Sequence, residues 1–169
     1  MYLDDALTRT NNLIYENVNW AIPNFKPGDF KITLTWPSHE RQYKKYYQPD
    51  IRRYSNDIRH YLHRVNRKFL GRDYQARGLM LKAVNSFEFN ASQGIHCHMA
   101  LEDSVLSRVP EDECINELLQ CWLDMKCSGY VAANEVMRMD YPQGWIEYIF
   151  KDTKSSKTEF TDYDNWCLK

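Results

Sequence analysis

From residue 30 to residue 36 the chain reads "FKITLTW", with apolar and polar positions in strict alternation. Phe30, Ile32, Leu34 and Trp36 share one face and Lys31, Thr33 and Thr35 the other, which predicts a half-buried strand. The period changes after Asp50. Ile51, Tyr54, Ile58, Leu62, Val65 and Phe69 recur at steps of three and four, so a helix with one apolar stripe is expected, ending near Gly71. Residues 78–89 then read as a strand, "NASQG" as a hairpin turn and "IHCHMALE" (95–102) as the returning strand. "PEDECINELLQCWLDMK" (110–126) opens with a proline and acids, as a helix N-terminus does, and buries Ile115, Leu118, Leu119, Trp122 and Leu123. A strand over 130–139 and a helix over 142–154, with Pro142 in its first turn, complete the pattern. Ahead of these, a short helix over residues 1 to about 20 is stopped by "IPNFKPGD". The order strand, helix, two strands, helix, strand, helix predicts an α+β fold, with helices flanking a central antiparallel sheet. The expected organisation is a domain over 30–154, an N-terminal extension over 1–29 and a C-terminal tail over 155–169.

Length and composition narrow this picture. At 169 residues and 20.3 kDa there is room for one domain. No apolar run approaches the roughly 20 residues of a membrane span, and "MYLDDALTRTNN" is too polar for a signal peptide. The five cysteines are odd in number and form no Cys-x-x-Cys pair, which points to reduced thiols in a cytoplasmic setting. The net charge of −1 conceals a segregation: residues 41–82 sum to +9 and the remainder to −10. A basic block of this kind suggests a polyanion-binding surface, against the plainer reading of a solvated helix face.

Candidate chemistry gathers around the hairpin. Strand alternation puts His96 and His98 on one face and Ile95, Cys97, Met99 and Leu101 on the core face. Glu88, on the preceding strand, points the same way as the histidines. Two imidazoles and a carboxylate make a ligand set for a divalent cation with open positions, Mn2+ or Mg2+, with zinc or nickel also able to bind. The plainer alternative is a pair of surface histidines. Downstream, Tyr148 and Lys151 stand three residues apart, on one helix face. A phenol is a weak nucleophile at its ordinary pKa, and a metal and an ammonium group both favour attack by its phenolate.

Together these residues resemble the HUH endonucleases, in particular the single-tyrosine initiators of rolling-circle replication. "ITLTW" looks like the first motif, "HCH" (96–98) like the His-hydrophobe-His metal motif, and "YIFK" (148–151) like the Tyr-x-x-Lys motif, in family order. The histidines precede the tyrosine, unlike the order in conjugative relaxases. The resemblance implies an HUH/Rep, RRM-like fold and metal-dependent nicking and joining of single-stranded DNA through a 5′-phosphotyrosine at Tyr148, assisted by Lys151. Glu88, His96 and His98 are the implied metal ligands. Lys31, Thr33, Thr35, Lys82 and the helix residues Arg52, Arg53, Arg59 and Arg64 are expected to contact the DNA. The implied partners are an origin hairpin and a host helicase and polymerase, since no helicase segment follows. Three alternatives stay open: a single-tyrosine HUH transposase, a non-catalytic DNA-binding module with a decayed site, and a protein with a structural zinc held by His96, His98 and a cysteine.

Overall fold

The computed structural model describes residues 13–37, 50–90, 94–104, 108–151 and 161–168. A helix runs over residues 13–21 (α1), followed by a single 3-10 turn at Ile22–Asn24. β1 (Phe30–Thr35) leads into α2 (Ile51–Leu70), then β2 (Ala83–Asn90) and β3 (Gly94–Leu101). α3 (Glu111–Leu123), β4 (Glu135–Arg138) and α4 (Pro142–Ile149) follow. The strands form one open antiparallel sheet in the order β2-β3-β1-β4, so the fold is α+β, with β1 and β3 at its centre.

Local chemistry accounts for the element ends. The Asp50 carboxylate caps α2 by accepting from the Arg53 amide, and Gly71, at φ 94°, ends it in a conformation that other residues rarely adopt. Pro110 and the acids Glu111, Asp112 and Glu113 open α3, and Pro142 opens α4. Several of the expected elements are longer than those observed. Residues 79–82 approach β2 without joining the sheet, and Val131–Ala133 is a 3-10 turn ahead of a four-residue β4. α4 ends at Ile149, with Phe150 as its C-cap, so Lys151 lies past the helix and not on it. The rest of that expected helix, 152–154, lies outside the described residues, as do residues 1–12 and the hairpin tip at 91–93.

The two faces of the sheet are covered by different helices. On one, Phe30, Ile32, Leu34, Cys97, Met99 and Leu101 pack beneath α2 and α3. Trp36 meets Tyr54 and Trp122 edge-on there, at 4.9 and 5.0 Å between ring centres. Full burial of each large side chain contributes about 2 kcal/mol. On the other face, Val84 and Ala100 pack against Ile146, Ile149 and Phe150 of the α4 segment and against Val18, Ala21 and Phe25. Residues 161–168 run along β2, with bridges between Ala83 and Cys167 and between Ser86 and Thr161. Buried Asp162 anchors this segment by accepting from Ser55 Oγ, Asn85 Nδ2 and Asn165 Nδ2 at 2.7–2.8 Å.

Candidate active site

The hairpin register places Glu88 directly opposite His96, with His98 opposite Ser86. Because Ile95, Cys97 and Met99 belong to the α2–α3 side, both imidazoles and the carboxylate project to the α4 side, as their alternation requires. His98 is 6 % exposed. Its Nε2 lies 2.8 Å from Glu88 Oε2, and its Nδ1 lies 3.2 Å from Thr33 Oγ1 on the neighbouring β1. Burial lowers the His98 pKa more than the Glu88 carboxylate raises it, so the ring is neutral near pH 7. The pair is therefore an Nε2–H donated to a carboxylate, with the Thr33 hydroxyl donating to Nδ1.

α4 brings the phenol to this cluster. Trp145 Nε1–H donates to the Met99 carbonyl at 2.9 Å, which pins the helix across β3. The Tyr148 ring stacks on Trp145 at 5.2 Å and stands edge-on to His98 at 4.9 Å between ring centres. Lys151 closes the group. Its Nζ lies 2.9 Å from Glu88 Oε2 and 3.6 Å from the centre of the Tyr148 ring. Although it lies past the helix, the tight turn at Phe150 still carries it to the same side as Tyr148. Partial burial disfavours the ammonium, yet hydrogen bonds with Tyr148 and Glu88 outweigh that and raise its pKa. Burial likewise works against the Glu88 carboxylate, but Lys151 and His98 together hold its pKa below the ordinary value. Lys151 is thus a fixed cation here and Glu88 a fixed anion. Tyr148 remains 38 % exposed.

No family model matches the chain, and no curated protein or solved structure does.

The donor chemistry suits a divalent cation. Among the described residues, no three His, Cys, Asp or Glu side chains close into a ready metal cage. Glu88 and His98 already touch, however, and His96 faces Glu88 across the ladder. Thr33 supplies the outer partner that a metal-bound imidazole uses, because its hydroxyl can accept from Nδ1–H once Nε2 is free to ligate. Cys97 projects to the far side of the sheet, and burial raises its thiol pKa, so it offers nothing to a zinc shared with the histidines. Burial also pushes the Cys127 and Cys114 thiols to about 12 and about 11.

The remaining sequence-predicted residues divide. Lys31 and Thr33 lie on the histidine face, and Thr33 touches the cluster itself. Thr35 shares that parity but is buried, its amide donating to Asn134 and its carbonyl accepting from Gly129. Lys82 is not brought to the site. It precedes β2 at the end paired with Leu101, six residues from Glu88, or about 20 Å of strand. Nor are Arg52, Arg53, Arg59 and Arg64, which ride on α2 and so lie behind the opposite face. Trp145 escaped the sequence reading, although its place three residues before Tyr148 marks it as a neighbour on the helix.

Proposed function

We propose that the chain is an HUH-type endonuclease that nicks and rejoins single-stranded DNA through Tyr148, as an initiator of rolling-circle replication would. The observation that carries this reading is the convergence of three separate segments. The Tyr148 ring, the His98 imidazole and the Lys151–Glu88 pair meet within 5 Å of one another, at the positions of the motifs read from the sequence. The element order β-α-β-β-α-β and the strand order β2-β3-β1-β4 also suit the RRM-like sheet of such enzymes.

In this mechanism the Tyr148 oxygen attacks the scissile phosphorus, a 5′-phosphotyrosine bond forms and the bond to the 3′ oxygen breaks. The phenolic proton is lost to solvent and the departing 3′ oxygen takes one up. Attack by a 3′-hydroxyl on the same phosphotyrosine reverses the step and rejoins the strand without a nucleotide cofactor. Lys151, held charged, stabilises the developing phenolate and phosphate charge and is not the base. Glu88 keeps Lys151 and His98 in place, and Trp145 fixes the plane of the phenol by stacking. His96, His98 and Glu88 would hold Mn2+ or Mg2+, which when bound supplies Lewis-acid polarisation of the phosphate. The natural substrate in this reading is an origin hairpin opened by a host helicase and copied by a host polymerase in the host cytoplasm.

The test is incubation of the protein with a pool of labelled single-stranded oligonucleotides and Mn2+, resolved on a denaturing gel. A metal-dependent covalent adduct is expected for the wild type and none for Tyr148→Phe. An adduct that persists in Tyr148→Phe would assign the nucleophile elsewhere. Binding without any adduct would favour the non-catalytic DNA-binding module.

A further inference from the structure

The arginines of α2 were expected beside the scissile strand and lie instead behind the opposite face of the sheet. That placement leaves a surface without an assigned role. α2 spans 20 residues, or about 30 Å. Its exposed face carries six cations, Arg52, Arg53, Arg59, Arg64, Arg67 and Lys68. The other exposed positions are Asn56, His60 and His63, so no acidic side chain lies among them. The one acid within the helix, Asp57, is half-buried and accepts from Trp36 Nε1. Arg64 pairs with Asp124, the C-cap of α3, and Lys68 with Glu117 of α3. Arg52, Arg59 and Arg67 have no ion pair with a described acid, and they recur at steps of seven and eight along one side of the helix.

We propose that this face of α2 is a second nucleic-acid surface that binds the phosphate backbone of duplex DNA, apart from the strand at Tyr148. Two contrasts point to duplex. The exposed positions of α2 include no Trp, Tyr or Phe, so the surface lacks the large rings on which the unpaired bases of a single strand stack best, and offers only the smaller imidazoles of His60 and His63. They include no large apolar side chain either, which a membrane surface would call for. What remains is a straight row of cations on a rigid helix, suited to the regular phosphates of a stem. The histidine face has the opposite character, with Tyr148 and Tyr141 exposed. The inference does not rest on Tyr148 being a nucleophile.

The test is fluorescence anisotropy with a duplex of about 20 base pairs and with a single strand of equal length, across about 50 to 200 mM salt. Wild-type protein should bind the duplex with a steep salt dependence. Arg59→Gln/Arg67→Gln should weaken duplex binding about tenfold and flatten the log–log salt slope by about 0.9 for each phosphate no longer neutralised. Its far-UV circular dichroism should match the wild type, since both side chains are exposed, and Arg52→Gln should repeat the effect in part. An unchanged slope in both variants, or no duplex binding by the wild type, would return α2 to a solvated face. Equal loss of single-strand and duplex affinity would overturn the duplex assignment, and so would binding to vesicles of anionic lipid but not to duplex. Failure of the oligonucleotide adduct test would remove the nuclease reading and leave this one standing.

Discussion

Glu88 holds two partners at once, His98 at 2.8 Å and Lys151 at 2.9 Å, and this arrangement sets a pH dependence. The folded pKa of Glu88 is lowered from 4.5, so its contribution is present above that value and is lost as pH falls through the folded pKa. His98 is also lowered, from 6.5, so below that value the unfolded chain takes up the proton more readily and stability falls again. Both act in one direction. Thermal unfolding in the presence of a chelator should give a Tm that declines from pH 7 to about pH 3. Glu88→Gln should show a lower Tm at pH 7, a decline above 4.5 at least as steep, because the carboxylate no longer raises the His98 pKa, and a flatter one below it; a parallel profile would assign the acid sensitivity to other groups. Most of this cluster was legible in the sequence, because strand alternation fixes which side a residue faces. The Thr33–His98 contact was not, since it depends on which strand lies beside β3, and alternation says nothing about neighbours.

At the level of elements, the end of β1 is held by an approach that only glycine permits. The Gly129 amide donates to the Thr35 carbonyl at 2.7 Å, and a Cβ at that position would sit 2.8 Å from the same oxygen and 2.5 Å from Thr35 Oγ1. The nearest atoms include backbone, which cannot swing aside. Gly129→Ala should therefore cost about 2 kcal/mol, measured as a lower urea midpoint with an unchanged m-value. The cost should extend to the site, because Thr33 and Thr35 belong to one short strand. Where sequence and structure part, the cause lies in element ends. Nothing in "WIEYIFK" stops a helix, yet α4 ends at Ile149, where Ile149 and Phe150 bury against Val84 and Ala100. The side that α2 covers was within reach of the sequence. Its apolar stripe has to meet the apolar face of β1, which leaves the histidine face to another helix.

For the molecule as a whole, the segment 161–168 binds remote parts together. Asp162 accepts from α2, from β2 and from within its own segment, and Trp166 stacks on Trp20 of α1 at 5.3 Å while its Nε1–H donates to the Asn85 carbonyl. Asp162→Ala would leave the buried donors Ser55 Oγ and Asn85 Nδ2 without their acceptor, while Asn165 Nδ2 keeps the Ser55 carbonyl, so a loss of about 3 kcal/mol in urea unfolding is expected. Asp162→Asn, which keeps an acceptor oxygen, should recover part of it. Sequence patterning could not assign this segment, because it makes two single bridges and a 3-10 turn, with no period to detect.

The placement of β1 has a consequence for how the chain is made. β1 lies between β3 and β4, both far downstream of it, so Phe30–Thr35 leave the ribosome with neither neighbour yet synthesised. The first pairing available is the local one between β2 and β3, and the central strand joins only afterwards, a non-local closure that slows folding. Until then its apolar row is exposed, a reason for a nascent chain of this kind to need a chaperone. The candidate site keeps the same schedule. Thr33 reaches His98 only when the sheet closes, and Tyr148 arrives later still, so the cluster of Thr33, His98 and Tyr148 assembles only after α4 has been made.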